Sequence, residues 1–130
     1  NYKFLKIFLN RNRDELYERI NLRVEIMIKN GLVEEAKKVY NRYTEKLYKI
    51  SSIGYKELFM YFDGKISLDE AVAEIKKESR RYAKRQMTWF RREKDYIIYN
   101  LSRMSENEVL DMILKRWENF RKENKLRKKF

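Results

Sequence analysis

Apolar residues recur along most of the chain at spacings of three and four, the pattern of a helix with one buried face. The first such helix is predicted from Asn12 to Asn30, where Asn12 and Glu15 can form an N-terminal cap. Gly31 follows directly and predicts a left-handed C-terminal cap. The apolar side of this helix consists of Leu16, Tyr17, Ile20, Val24, Met27 and Ile28.

The same spacing predicts four more helices. Ser67 with Glu70, and Ser105 with Glu108, can each form a capping box, in which a serine and a glutamate three residues later cap a helix start. The serines and glycine within 51–54 predict a turn. The helices are expected over about 33–47, from Tyr55 to Phe62, over about 67–92, and from Ser105 onwards.

Two short apolar segments lack the helical spacing and predict strands. They are FLKIFL, within residues 3–9, and DYIIYN, residues 95–100. The chain has no proline, three glycines and no low-complexity linker, which favours helices joined by short connections. We therefore predict a mainly α fold with up to two short strands: a single helical domain over 1–120, then a basic tail over 121–130 that we expect to be flexible.

Composition narrows the chemistry that the chain can perform. The 130 residues suffice for one domain, and the absence of cysteine and histidine excludes disulfides, thiolate chemistry, the usual zinc sites and a histidine general base. No apolar run approaches the roughly 20 residues that cross a bilayer, so we expect a cytoplasmic protein. We also expect a monomer that does not bind membranes. The chain starts inside the apolar run YKFLKIFLN, and we expect it to be a piece of a longer protein.

The net charge of +12 is concentrated in two places. Residues 76–92 hold eight Lys or Arg and one Glu, residues 121–130 hold six and one, and the remainder is balanced. Such a concentration is typical of a protein that binds a polyanion, above all a nucleic acid. The alternative is a solvated surface that only keeps the protein soluble, and for residues 121–130 both interpretations stay open.

The long helix has two different sides. At about 100° per residue from Lys76, its apolar residues fall within roughly 220–340° and its cationic residues within roughly 40–180°. A solvated helix usually alternates acids and bases, whereas this one has no acid after Glu78, so a partner with negative charge would explain it. The apolar set, predicted to face the core, is Leu68, Ala71, Val72, Ile75, Tyr82, Ala83, Trp89 and Phe90. The cationic set, which we call the cationic rail, is Lys77, Arg80, Arg81, Lys84, Arg85, Arg91 and Arg92.

Two residues within the apolar arc leave alternatives open. Trp89 can pack in the core, the interpretation that its helical spacing beside Phe90 favours, or it can stack on a nucleic-acid base. Gln86 needs a specific hydrogen-bond partner if it is buried.

A pair of arginines in the first helix also has two interpretations. Arg19 and Arg23 lie one turn apart, at the border of the apolar side. Two partly buried guanidinium groups at this spacing are suited to binding a phosphate. Ordinary surface pairing with Glu15 and Glu18 fits the spacing as well.

Together these motifs resemble one family. The segment ESRRYAKRQMTWFRR is similar to the signature of tRNA dimethylallyltransferases, which prenylate the adenosine beside the anticodon. Two more family segments are matched in the same order by NRDELYERINLRVEIMIKNGLVEEAKKVY and by the block that begins IGYKELFMYFDGKISLDEAVAEI. The resemblance covers about residues 8–95, and the lysine-rich segment after Trp117 is not part of it.

The resemblance implies the C-terminal part of an α/β enzyme of the P-loop type, whose parallel sheet would include the two strands. It implies transfer of a dimethylallyl group from dimethylallyl diphosphate to the exocyclic amine of that adenosine, with Mg²⁺ assisting. Family members carry the phosphate-binding loop Gly-x-x-x-x-Gly-Lys-[Ser/Thr] and the catalytic Asp and Thr in their N-terminal half, which has no counterpart here. We therefore expect no catalytic residue, no metal ligand and no prenyl transfer in this chain alone.

The resemblance also implies which residues bind. Arg23, in the match to Arg-Val-x-x-Met, resembles an arginine that faces the diphosphate, and Arg19 is a second candidate. It also implies two tRNA-binding segments, one in the turn at 51–56 and one in the long helix at 84–91. The cationic rail independently supports the helical segment, because cations bind phosphates. The turn has no such support, since an ordinary turn would have the same sequence features. The tRNA-binding candidates are Ser51, Ser52, Ile53, Gly54, Tyr55 and Lys56 in the turn, and Lys84, Arg85, Gln86, Met87, Thr88, Trp89, Phe90 and Arg91 in the long helix.

Three classes of protein are therefore compatible with the sequence. The transferase would bind a tRNA anticodon stem-loop and, as the intact enzyme, dimethylallyl diphosphate. A non-enzymatic helical module that binds RNA or DNA would show the same salt-sensitive binding without preferring anticodon stem-loops. A helical scaffold that packs on a partner protein or an anionic membrane would bind no RNA even at low salt.

Overall fold

The computed structural model describes residues 3–126, and over this range the chain is mainly helical, as predicted. The elements are β1 (Lys6–Asn10), α1 (Arg13–Lys29), α2 (Leu32–Arg42), a 3₁₀ helix (Thr44–Lys49), α3 (Tyr55–Phe62), α4 (Leu68–Phe90), β2 (Tyr96–Asn100) and α5 (Glu106–Leu126). They fall into two compact units. Described residues up to Glu15 and from Arg91 onwards form what we call the strand unit, and Leu16–Phe90 forms the helical unit.

The strand unit is built around two parallel strands, which confirms both strand predictions. β1 pairs with β2 so that Lys6 lies opposite Tyr96 and Asn10 lies opposite Asn100. Tyr99 and Val109 are the buried apolar residues of this unit, at 4% and 2% exposure. The hydroxyl of Tyr99 accepts a hydrogen bond of 2.9 Å from Nε of Arg116, which links β2 to α5.

α5 begins at the predicted capping box and extends through Leu126. Its start carries the predicted capping box, since the backbone N–H of Ser105 donates to Oε2 of Glu108 at 2.8 Å and the N–H of Glu108 donates to Oγ of Ser105 at 3.2 Å. The helix continues through Leu126 and so includes the first part of the segment expected to be a flexible tail. Residues 127–130 of that segment lie outside the described residues.

The helical unit packs its four α-helices around one apolar core. Gly31, between α1 and α2, has a φ of +101°, which confirms the left-handed cap predicted there. The start of α4 carries the second predicted capping box, with Ser67 N–H donating to Oε2 of Glu70 at 2.7 Å and Glu70 N–H donating to Oγ of Ser67 at 3.1 Å. The buried core residues are Val24, Leu32, Ala36, Leu58, Ala71 and Ile75.

α2 is shorter than the predicted helix over 33–47. It ends at Arg42, and the chain continues as the 3₁₀ helix after Tyr43, whose φ of −122° is not helical. The segment from Asn41 to Thr44 contains Asn, Tyr and Thr, which are weaker helix formers than Ala, Glu or Lys. Apolar spacing continued across this segment, and the prediction followed the spacing rather than the propensity.

The aromatic residues of α4 do not all face the core. Tyr82 is 50% exposed and Trp89 is 57% exposed, so the prediction that Tyr82 faces the core was wrong, as was the core interpretation that spacing favoured for Trp89. The buried residues of α4 are Ala71 and Ile75, near its start, and the helix extends well beyond the core on which it packs. Gln86 is exposed as well, and a buried partner for its amide is therefore not required.

Candidate nucleic-acid interface

Two cations of α4, Lys76 and the rail residue Arg80, are bonded to α1. Nζ of Lys76, just before the rail, lies 2.6 Å from Oε1 of Glu25. One turn later, Nη1 of Arg80 donates to Oδ1 of Asn21 at 2.6 Å. These contacts hold α1 against α4, and they use hydrogen-bond donors that the sequence had suggested were available to a partner.

Two acids of α4 itself pair with further rail residues. Nζ of Lys77 lies 2.8 Å from Oε1 of Glu74, and Nη1 of Arg81 lies 2.7 Å from Oε1 of Glu78. Both pairs join residues three positions apart on the helix surface. In the first half of the rail, Lys77 and Arg81 are therefore paired with acids, and Arg80 uses one of its donors on a neutral amide.

The second half of the rail is different. Lys84 and Arg85 are exposed, and within residues 3–126 neither forms an ion pair. The guanidinium carbon of Arg85 lies 5.8 Å from the centre of the Tyr82 ring, an arrangement that leaves its N–H donors accessible. Thr88 donates its hydroxyl to the backbone oxygen of Lys84 at 3.0 Å, and Arg91, directly after α4, is exposed. The unpaired positive charge therefore coincides with the predicted tRNA-binding segment Lys84–Arg91.

The other predicted segment, Ser51–Lys56, forms a turn that leads into α3. Ser51 and Ser52 are exposed, whereas Ile53 packs against the core of the helical unit. Tyr55 is the first residue of α3, and its hydroxyl donates to the carboxylate of Glu35. This hydrogen bond is the first cause of the raised pKa of Tyr55. Ile53 and Tyr55 therefore hold the turn in place, while Ser51 and Ser52 are exposed to solvent.

A buried carboxylate fixes the centre of this turn. The backbone N–H of Gly54 donates to Oε2 of Glu57 at 2.8 Å, and Glu57 is only 2% exposed. Gly54 has a φ of +103°, where other residues are strained. Oε1 of Glu57 is buried without a hydrogen bond, 3.6 Å from Nζ of Lys56. Sequence reasoning missed Glu57, although it follows Gly54 at the same three-residue spacing that identified the two capping boxes.

The carboxylate of Glu78 is influenced by one cation from each predicted tRNA-binding segment. The pKa of Glu78 is lowered from its ordinary value, first by the hydrogen bond from Arg81 and further by the charges of Arg81, Lys56 and Arg85, against an opposing effect of desolvation. Lys56 belongs to the first turn of α3, and α3 packs on α4.

Arg19 and Arg23 lie on another face. Both are exposed on α1, and among the residues that the structure describes neither forms an ion pair, so the surface pairing weighed from the sequence does not occur. At about 100° per residue they lie roughly opposite Asn21, which contacts α4. Leu22 and Ile26, at 56% and 48% exposure, flank them. The arginines are thus not brought to the two segments described above.

Acidic side chains do not cluster among the described residues. Within residues 3–126 no group of three or more acidic side chains comes together in a way that could hold a metal ion. Mg²⁺ usually binds through one or two carboxylates together with the phosphates of a substrate and several waters. No helix in the same range is long and apolar enough to cross a membrane.

Comparison with known proteins identifies the family. A family model described as IPP transferase matches residues 1–93. The tRNA dimethylallyltransferase of Fusobacterium nucleatum is 55% identical over 113 residues, which cover 87% of this chain and 37% of that protein. The enzyme of the same name from Alkaliphilus metalliredigens is 45% identical over 120 residues, which cover 92% and 38%.

Comparison with solved structures leads to the same family. The full-length tRNA isopentenylpyrophosphate transferase of Bacillus halodurans superposes with a TM-score of 0.86 at 38% identity, covering 94% of this chain and 41% of that one. The tRNA isopentenylpyrophosphate transferase of Staphylococcus epidermidis gives 0.85 at 39% identity, covering 92% and 39%. The fold and the motifs are thus those of a prenyl transferase, and the chain belongs to the IPP transferase family. It spans less than half the length of the relatives it matches and corresponds to their C-terminal part.

Proposed function

We propose that this chain holds the anticodon stem-loop of a tRNA while another part of the same enzyme transfers a dimethylallyl group to the adenosine beside the anticodon. The main support is the exposed positive charge of Lys84 and Arg85, neither of which forms an ion pair within residues 3–126. The names of the relatives support tRNA as the substrate of the intact enzyme.

The proposed role follows from what the reaction requires. The adenosine must leave the base stack before its exocyclic amine can attack the prenyl carbon of dimethylallyl diphosphate, and unstacking costs about a few kcal/mol. Contacts to the neighbouring phosphates offset that cost without reading sequence. The cations of Lys84–Arg91 are suited to these contacts, and the exposed indole of Trp89 is suited to stacking on an unpaired base.

The donor is bound, in this proposal, on a different face of the helical unit. Arg19 and Arg23 project together from α1 and have no ion-pair partner within the described range, so both guanidinium groups are available to the diphosphate. When bound, Mg²⁺ would help to neutralise the diphosphate as it leaves. The metal, the phosphate-binding loop and the catalytic groups belong to the remainder of the enzyme, which acts as a cytoplasmic monomer.

Neutralising the second half of the rail tests the RNA-binding role. Lys84→Gln, Arg85→Gln and Arg91→Gln together should weaken binding of a labelled anticodon stem-loop and lower the slope of log K against log[salt] by about 2, at about 0.7 for each lost phosphate contact. The matched control carries Lys29→Gln, Arg42→Gln and Arg103→Gln, which remove the same charges from other exposed positions. Equal slopes for the two triple variants would contradict the proposal.

Competition separates the proposal from its rivals. Unlabelled anticodon stem-loop should displace the labelled one more effectively than an unrelated RNA hairpin of the same length does, at one stated salt concentration. Equal displacement would favour a non-enzymatic RNA- or DNA-binding module. Absence of RNA binding at low salt would favour a scaffold that binds a protein or a membrane. Prenyl transfer by the chain alone would show that the catalytic groups are not confined to the remainder of the enzyme.

A further inference from the structure

We propose that Glu78 competes with RNA for Arg81, so that binding exchanges the Arg81–Glu78 pair for a pair between Arg81 and a phosphate of the RNA. This adds Arg81 to the phosphate ligands and makes Glu78 the residue that limits their affinity. The inference rests on the proposed function, since it needs a bound nucleic acid, and it concerns two residues outside the predicted segments.

The pair itself can be exchanged at little cost. Nη1 of Arg81 lies 2.7 Å from Oε1 of Glu78, and the side chains are 58% and 19% exposed. Arg81, the partner that would move to the phosphate, is the exposed one, and an ion pair that water reaches on one side is partly screened and contributes little stability. A phosphodiester offers two anionic oxygens to the planar fork of a guanidinium group, whereas the present pair is made through one nitrogen.

The surroundings of Glu78 are cationic enough to hold a phosphate. Arg85 lies one turn after Arg81 on α4, and Lys56 reaches the same region from α3. Nζ of Lys56 makes its ion pair with the buried Glu57 at 3.6 Å, a distance beyond a hydrogen bond, and its own side chain is 48% exposed. A phosphate placed beside Arg81 would therefore lie one turn from Arg85, and the charge of Lys56, which acts on Glu78, would attract it as well.

The helix supplies a matched comparison one turn earlier. Glu74 and Lys77 have the same three-residue spacing and a similar distance, 2.8 Å. Lys77 precedes Arg81 by one turn, but it precedes Arg85 by eight residues, about 12 Å along the axis, and so does not adjoin Arg85 as Arg81 does. Glu74→Gln and Glu78→Gln each remove one negative charge from α4, but only Glu78→Gln releases a cation beside Arg85.

The test measures binding of a labelled RNA anticodon stem-loop to the chain by fluorescence anisotropy over a range of KCl concentrations. Glu78→Gln should bind about two- to fivefold more tightly than the wild type, the range expected when one partly screened ion pair is removed. Glu74→Gln should gain less than half as much. Arg81→Gln should weaken binding and lower the salt slope by about 0.7.

Two further variants exclude trivial explanations. In Arg81→Gln, adding Glu78→Gln should no longer improve binding as it does in the wild type, because the released cation is missing. Arg81→Lys keeps the charge and should keep the slope while losing part of the affinity, since an ammonium group lacks the guanidinium fork. Unchanged far-ultraviolet circular dichroism confirms that each variant folds.

Specific results would overturn the inference. Equal gains for Glu78→Gln and Glu74→Gln would show that only net charge matters, and an unchanged slope for Arg81→Gln would show that Arg81 binds no phosphate. Either result leaves the proposed function intact if Lys84, Arg85 and Arg91 together still carry the salt slope. Loss of that dependence would instead refute the RNA-binding role itself.

Discussion

Replacing Glu57 by alanine should destabilise the helical unit far more than an ordinary cap substitution. The carboxylate accepts a 2.8 Å hydrogen bond from the N–H of Gly54, and both residues are buried. A matched control exists in Glu70, which accepts a hydrogen bond of 2.7 Å from the N–H of Ser67 at an exposed helix start. The two glutamates perform the same capping chemistry and differ in their access to water.

The magnitude follows from that difference. Losing an exposed cap costs about 0.5–1 kcal/mol, because water then satisfies the freed N–H. In Glu57→Ala the hydrogen bond to a charged group, about 1.5–3 kcal/mol, is lost and Gly54 N–H stays buried without an acceptor. The emptied volume of a residue only 2% exposed adds a cavity term. We expect a total loss of about 3–4 kcal/mol for Glu57→Ala against about 0.5–1 kcal/mol for Glu70→Ala.

Urea unfolding followed by far-ultraviolet circular dichroism measures both losses. With a denaturant slope of about 2 kcal/mol per M, the unfolding midpoint should fall by about 1.5–2 M for Glu57→Ala and by less than about 0.5 M for Glu70→Ala. Glu57→Gln serves as a third variant. Its amide oxygen can still accept from Gly54 and its volume is unchanged, so it should lose less than half as much as Glu57→Ala.

The outcome can refute the reasoning in two ways. If Glu57→Ala and Glu70→Ala lose the same stability, burial does not control the strength of the cap. If Glu57→Gln loses as much as Glu57→Ala, the contribution of Glu57 is its charge near Lys56 rather than its hydrogen bond to Gly54.

Two more predictions test the core and a helix cap. Ile75→Ala, at a position 1% exposed, should cost about 2–5 kcal/mol in urea unfolding, whereas Ile26→Ala, at 48% exposure in the same unit, should cost under about 1 kcal/mol. The pKa of Glu108 is lowered by the N–H and then the hydroxyl of Ser105, so its stabilising effect is present above the ordinary Glu pKa and lost as pH falls through the lowered value. In Ser105→Ala the pKa of Glu108 should therefore rise part of the way back, as followed by NMR titration, and an unchanged titration would show that the hydroxyl has no role.

Helix caps could be predicted from the sequence where the residues that form them lie within one turn of each other. Gly31 predicted a left-handed cap because glycine adopts a positive φ without strain, and its φ of +101° confirms this. The Ser67–Glu70 box was predictable because both partners lie within one helical turn. The same spacing at Gly54 and Glu57 was overlooked, since glycine offers no side chain to complete a box and burial of the glutamate depends on how α3 packs.

Burial that depends on how helices pack against each other could not be predicted from the sequence. Apolar spacing marks which side of α4 can be buried, but it does not state how far the core extends along the helix. Ile75 and Trp89 fall within the same predicted arc, yet one is 1% exposed and the other 57%. The exposure of Trp89 has a consequence for function, because it leaves base stacking open for a residue that spacing had favoured for the core.

Contacts between helices also explain why fewer cations of the rail are available to a partner than the sequence implied. Counting charges on one helix identifies Glu74 and Glu78 but not the contribution of α1, where Glu25 and Asn21 take up Lys76 and Arg80. The charge of residues 76–92 therefore overstates what a polyanion can use. Available cations remain at the end of α4, at Lys84 and Arg85. If the chain binds RNA as proposed, a few phosphate contacts there would give only weak binding. Lys56, whose charge acts on Glu78 together with that of Arg85, would then add a further cation from the turn.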